Sequence, residues 1–177
     1  MLELQELLQV KQLKNIFKPI HLMFENINFL GTNYKLSESE TELSKLIYER
    51  GVDDKGFARI RSKGDQTLFG GNNTIQMKQK LSIPKNRPLA DFLPTVIIAG
   101  KNFATEITNF NIKKDTLQKE NNITIEHMKN NSKIRNVLLD DNIVPEKLPK
   151  EEDIKKLKQK IKQDDKLLIK KINHQPK

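Results

Sequence analysis

The stretch Pro94-Thr95-Val96-Ile97-Ile98-Ala99-Gly100-Lys101-Asn102-Phe103-Ala104-Thr105-Glu106-Ile107-Thr108-Asn109-Phe110 decides the fold. Pro94 suits the opening turn of a helix, where its missing N–H is no loss and its fixed φ is already helical. Beyond it, Val96, Ile97, Ile98, Ala99, Phe103, Ala104, Ile107 and Phe110 cover more than one helical face. A helix apolar on several sides is a buried one, so the spacing predicts a central helix with Phe103 and Ile107 inside. Gly100 costs about 1 kcal/mol against alanine in a helix interior. It is read as the point where another helix crosses closely.

Working back toward the N-terminus, Pro88 opens a short helix with Leu89 and Phe92, and Pro84 lies in the loop before it. Thr74 caps a short helix bearing Ile75, Met77 and Lys78, preceded by Gly70-Gly71-Asn72-Asn73, a tight turn that needs positive φ. Asp53 starts a helix with Phe57 and Ile60 inward, Arg59, Arg61 and Lys63 outward, and Gly64 at its close. Ser37 and Glu40 have the spacing of a capping box ahead of Leu43, Leu46 and Ile47, and Gly51 is the natural C-cap. Before that, Leu4, Leu7, Leu8, Val10, Leu13 and Phe17 form one stripe, interrupted at Pro19. Ile20, Met23, Phe24, Ile27 and Leu30 form another, ended by Gly31-Thr32-Asn33.

Toward the C-terminus, residues 111–123 are polar, and a helix from about Thr124 to Asp141 carries Ile125, Met128, Ile134, Val137 and Leu138. Pro145-Glu146-Lys147-Leu148-Pro149 makes an extended stop. From Lys150 a charged tail helix follows. Its seam is Ile154, Leu157, Ile161 and Leu168, broken by Asp164, with Glu151–Lys155 and Glu152–Lys156 as supporting pairs. No segment alternates with the period of a strand. The reading is all-α: about seven helices, a central apolar one and a long charged C-terminal one. Three segments follow: 1–34 as a helical segment and candidate interface, 35–149 as the core domain, and 150–177 as a basic tail.

The composition narrows the function. With 177 residues, 36% hydrophobic, 31% charged and a formal net charge of +9, the chain has a modest core and an affinity for polyanions. There is no cysteine, hence no disulfide, thiol nucleophile or cysteine-bound zinc. No apolar run is long enough to span a bilayer, and Met1-Leu2-Glu3-Leu4 does not begin a secretory signal. His21, His127 and His174 lie far apart with no second ligand at metal spacing, so each is read as a surface residue. Gly70-Gly71 and Gly100-Lys101 both lack the residues of a phosphate loop, and Asp140-Asp141-Asn142 is too short for a calcium loop. Glu106 has no second carboxylate at helical spacing and is placed at the solvent edge. No catalytic residue, metal site or cofactor is expected, and the protein is not expected to be an enzyme.

Thr74–Leu81, the Pro84 turn and Pro88–Leu93 have the outline of a helix-turn-helix. The second helix, Leu89-Ala90-Asp91-Phe92-Leu93, lacks side chains suited to base edges, so the unit is read as a structural corner. The candidate contacts to nucleic acid or to a protein partner are Arg59, Arg61, Lys63, Lys78, Lys80, Lys85, Arg87, Lys166, Lys170 and Lys171.

Several runs together resemble a known family. They are Lys35-Leu36-Ser37-Glu38-Ser39-Glu40, Tyr48-Glu49-Arg50-Gly51-Val52-Asp53, Gly56-Phe57-Ala58, Arg61-Ser62-Lys63-Gly64-Asp65 and Leu68-Phe69-Gly70-Gly71. Arg87-Pro88-Leu89-Ala90-Asp91-Phe92-Leu93-Pro94-Thr95, Asn102-Phe103-Ala104, Glu106-Ile107-Thr108-Asn109-Phe110-Asn111, Glu126-His127, Asn130-Asn131 and Pro145-Glu146-Lys147-Leu148-Pro149 continue the series. Roughly from Lys35 to Lys162, the chain resembles the C-terminal region of the bacterial DNA-damage-inducible protein D family.

The resemblance implies a cytoplasmic bacterial protein of the DNA-damage (SOS) response that modulates recombinase filaments on single-stranded DNA. It implies no catalytic motif. Full members carry an N-terminal domain similar to phage antirepressor and baculovirus-repeat proteins. Residues 1–30 do not resemble that domain, so a DNA-binding function seated there does not carry over. The expected partners are therefore a recombinase filament, single-stranded DNA or both, with self-association through the N- or C-terminal helices as a further expectation. The alternative is an antirepressor-like regulator that binds protein without touching DNA.

Overall fold

The computed structural model describes residues 26–173, with side chains described through Gln163 and at Lys166. The N-terminal stripes from Leu4 to Phe24, His21 and His174 lie outside the described residues, and so do the side chains of Asp164, Leu168, Lys170 and Lys171. Six α-helices and two single 3₁₀ turns make the chain all-α, and there is no strand among the described residues. The helices are α1 (26–48), α2 (Asp54–Leu68), α3 (Thr74–Lys80), α4 (Thr95–Lys114), α5 (Glu120–Asp140) and α6 (Ile154–Asn173). The 3₁₀ turns are Leu89–Phe92 and Pro145–Lys147.

The local signals set most of the boundaries. Asp53 caps α2 by accepting from the Gly56 N–H. Asn73, not Thr74, caps α3, in a reciprocal box with Gln76 that satisfies two backbone N–H groups. Gly51, Gly70 and Gly71 take positive φ where the chain turns after α1 and α2. Pro94 precedes α4 as expected. α5 begins at Glu120, four residues before the expected start, and Thr124 lies inside it with its hydroxyl bonded back to the Glu120 carbonyl.

Two expected breaks are absent. Gly31-Thr32-Asn33 does not end a helix, and α1 runs through it and across the 34/35 boundary. Thr32 Oγ1 donates to the Asn28 carbonyl and Asn33 Nδ2 to the Phe29 carbonyl, so these polar side chains bond within the helix instead of stopping it. Ser37 and Glu40 therefore sit mid-helix and form no capping box. Nor does Gly64 close α2. It is buried mid-helix, and a Cβ there would lie 2.5 Å from the His127 ring.

α1, α2, α4 and α5 form a bundle, and the contacts give its directions. Glu40 meets Arg61, so α1 and α2 are antiparallel, as the tight turn at Gly51 requires. Arg59 meets Glu120 and Arg135 meets the Leu68 carbonyl, so α2 and α5 run parallel. Asn111 meets Glu126 and Gly100 faces Ile134, so α4 and α5 are antiparallel. The Gly100–Ile134 approach is the close crossing expected from the sequence.

The core is layered. One apolar end gathers Leu36, Leu68, Phe69, Met77, Phe92, Ile97, Ile98, Ile134 and Leu138, and Ile154 and Leu157 of α6 pack into it. The other gathers Leu43, Leu46, Ile47, Ile60, Ile112 and Ile123. Between them every bundle helix turns a polar residue inward: Ser39, Asp65, Thr105, Thr108, Asn109, His127, Asn130 and Asn131 are all buried.

α4 is central but not enveloped. Val96, Phe103 and Phe110 are 42%, 59% and 64% exposed, so the expectation that Phe103 lies inside is wrong. Ile107 is half-buried. The inward face carries Thr105, Thr108 and Asn109: Thr105 bonds back to the Lys101 carbonyl of its own helix, while Thr108 meets His127 and Asn130 of α5 and Asn109 donates to the Ser39 carbonyl of α1. In α5, Ile125 and Val137 also point outward.

Candidate functional site

The polar layer centres on an ion pair between the buried Asp65 of α2 and the half-buried Lys101 of α4. Thr74 Oγ1 donates to the second carboxylate oxygen at 2.6 Å. Burial alone would raise the Asp65 pKa. The Lys101 charge and hydrogen bond, the Thr74 hydroxyl and the Arg61 charge outweigh it and hold the carboxyl below its ordinary value. Arg61 in turn donates to Glu40 of α1.

His127 completes the layer. Thr108 Oγ1 donates to the Ala104 carbonyl at 2.7 Å, accepts from Asn130 Nδ2 at 3.1 Å and shares a 3.1 Å hydrogen bond with His127 Nδ1. The Nε2 edge of the ring lies against Gly64. Burial, then the neighbouring Lys101 charge, lowers its pKa to about 4, and Arg61 acts in the same direction against the opposing pull of Asp65. The expectation of a surface histidine is corrected: His127 is a buried hydrogen-bonding residue, a bonded core role that its sequence context does not reveal.

The candidate contact residues divide by type. Arg59 makes two short bonds to Glu120, at 2.6 and 2.7 Å. Arg61 is taken by Glu40. Arg87 is clamped between Asp91 and Asp153, tying the 3₁₀ turn to the start of α6. Arg135 chelates Glu146, and Arg50 donates to the carbonyls of Leu46, Ile112 and Leu117. Every arginine in the chain is thus a structural clamp. A rigid planar fork suits that use better than an ammonium does.

The lysines behave differently. Lys78 and Lys80 lie in the last turn of α3 and Lys85 in the loop that follows it, where Lys78 Nζ donates to the Lys85 carbonyl. Lys150, which the sequence reading did not single out, joins them with its Nζ 3.4 Å from the Ser82 carbonyl. It is a sequence-distant neighbour, and no local pattern marks it. Lys63 stands apart on α2 beside Gln66, and Lys166 is exposed on α6. The supporting pairs expected from Glu151 and Glu152 do not form among the described residues, because α6 begins only at Ile154. The helix-turn-helix outline reduces to α3 and a four-residue 3₁₀ turn whose Leu89 and Phe92 are buried.

Among the described residues, no three His, Cys, Asp or Glu side chains approach closely enough to hold a metal, and no helix is long and apolar enough to cross a membrane. A layered helical bundle with clamped arginines and a lysine corner defines a basic all-α domain. The chain belongs to the DinD C-terminal domain family, whose model matches residues 25–157. Its kinship is with the DNA-damage-inducible proteins. The match ends at Leu157, the last buried residue among those described. No curated protein matches the chain.

Proposed function

We propose that this protein is a non-enzymatic, cytoplasmic component of the bacterial DNA-damage (SOS) response that binds a recombinase filament on single-stranded DNA and changes its assembly. The family match over residues 25–157 carries the reading. The exposed α4 stripe of Val96, Phe103 and Phe110 supports it, since contiguous exposed apolar surface is characteristic of protein interfaces. In this reading the stripe is the anchor for a filament subunit, and the protein needs neither cofactor nor metal.

The test assembles a recombinase on fluorescent single-stranded DNA and follows filament lifetime with added protein. A dose-dependent change is expected from the wild type and none from a Phe103→Ser/Phe110→Ser variant that melts at the wild-type temperature. A filament indifferent to the wild-type protein refutes the reading. Magnesium-dependent turnover of labelled DNA, lost on mutating one acidic residue, would refute its non-enzymatic part. Capture of a repressor, and no recombinase, from nuclease-treated extracts of DNA-damaged cells would favour the antirepressor-like alternative.

A further inference from the structure

We propose that Lys78, Lys80, Lys85 and Lys150 form a phosphodiester-binding corner for single-stranded nucleic acid. This rests on the reading above and deepens it, by assigning the DNA side of a filament contact to one surface. Four observations carry it. First, the corner is assembled by folding: Lys78 Nζ bonds to the Lys85 carbonyl, and Lys150 Nζ to the Ser82 carbonyl, 68 residues apart in sequence.

Second, the neighbouring carboxylates are already committed. Asp91 and Asp153 both bind Arg87, and Glu146 is chelated by Arg135, with Lys80 adding only a weaker field. Among the described residues none of the four lysines forms an ion pair. Third, the acids nearest in sequence, Glu151 and Glu152, line a different cleft, with Phe29, Thr95 and Leu157. The corner therefore keeps its positive charge.

Fourth, the basic surface continues beyond the corner. α6 begins beside it, at the Asp153–Arg87 clamp, and carries exposed Lys155, Lys156, Lys158, Lys160, Lys162 and Lys166. A flexible polyanion can track from the corner onto that helix. The 3₁₀ turn offers no reading helix and buries its apolar residues, so the contact is with backbone phosphates and not with base edges.

The experiment measures binding of the full chain to a labelled oligo(dT) by fluorescence anisotropy, from about 50 to 200 mM salt. Wild type should show log affinity falling linearly with log salt, at about −0.7 per phosphate neutralised. In the variant K78Q/K80Q/K85Q/K150Q the slope should be shallower by about 2 to 3, with affinity at low salt down at least tenfold. The control K35Q/K45Q/K55Q/K114Q removes the same charge elsewhere on the bundle and should keep the wild-type slope. Failure of wild type to bind at low salt overturns the inference. So does an equal loss in the control, or competition by polyglutamate as effective as by oligo(dT), which would mark the corner as a protein-docking surface. The filament assay separates this from the broader reading. A filament effect that survives while oligo(dT) binding is absent sinks the corner alone. Oligo(dT) binding without any filament effect sinks the filament reading alone.

Discussion

Acidification from about pH 7 to about pH 5 should cost this protein roughly 2 kcal/mol of folding stability, and the loss should trace to His127. The ring is buried and neutral, with its pKa lowered from 6.5 to about 4. The polar groups around it are Glu40 on α1, Arg61 and Asp65 on α2, Lys101, Thr105 and Thr108 on α4, and Asn131 on its own helix. Because the folded value lies below the unfolded one, the unfolded chain takes up a proton first. Stability is complete above about pH 6.5, declines as pH falls toward 4, and levels off once the native ring is protonated as well. At about 1.4 kcal/mol per pH unit, the whole effect is about 3 kcal/mol, most of it spent by pH 5. Over the same interval the depressed carboxyls contribute little, since their unfolded values are 3.8 and 4.5. Urea unfolding at the two pH values reads this directly: with m near 2 kcal/mol per molar, the midpoint should drop by about 1 M. In His127→Gln most of that drop should vanish, whatever the variant's absolute stability. A wild-type midpoint that stays put or rises, or an equal drop in His127→Gln, would refute the placement of this ring.

Lys101→Met should lower stability by about 3–5 kcal/mol by leaving Asp65 charged and unpaired in the core, and denaturant midpoints would show it. Gly64→Ala places a methyl 2.5 Å from the His127 ring, and about 1–3 kcal/mol of overpacking strain is expected by the same measurement. Phe103→Ala, at a side chain more than half exposed, should leave the melting temperature nearly unchanged, with a cost of at most about 0.5 kcal/mol. Deleting residues 163–177 should leave the melting curve intact. Deleting from Lys150 removes Ile154, Leu157 and the Asp153 side of the Arg87 clamp, and should shift the curve several degrees downward.

The local chemistry of the chain determined its class. Asp53, the Gly70-Gly71 turn and Pro94 each act within a few residues of themselves, so the limits they set could be read directly. The Ile154–Leu157 seam and the Gly100 crossing were legible for the same reason: spacing along a helix is a local quantity. The ordered runs from Lys35 onward carried the family.

Only the tertiary structure decided which side of each helix faces inward. α4 has enough apolar residues to look buried all round, yet it turns Phe103 and Phe110 out and Thr105, Thr108 and Asn109 in. Thr108 meets His127 and Asn130 of α5, and the Asn109 amide donates to the Ser39 carbonyl of α1. Likewise, a run of basic residues does not say which cation meets an acid. Arg87 and Lys85 are two residues apart, but Arg87 is spent on Asp153, 66 residues away, while Lys85 stays at the surface beside Lys78. Hydrogen-bond and charge partners separated by tens of residues are chosen when the helices pack, because a buried polar group is tolerated only where its partner arrives.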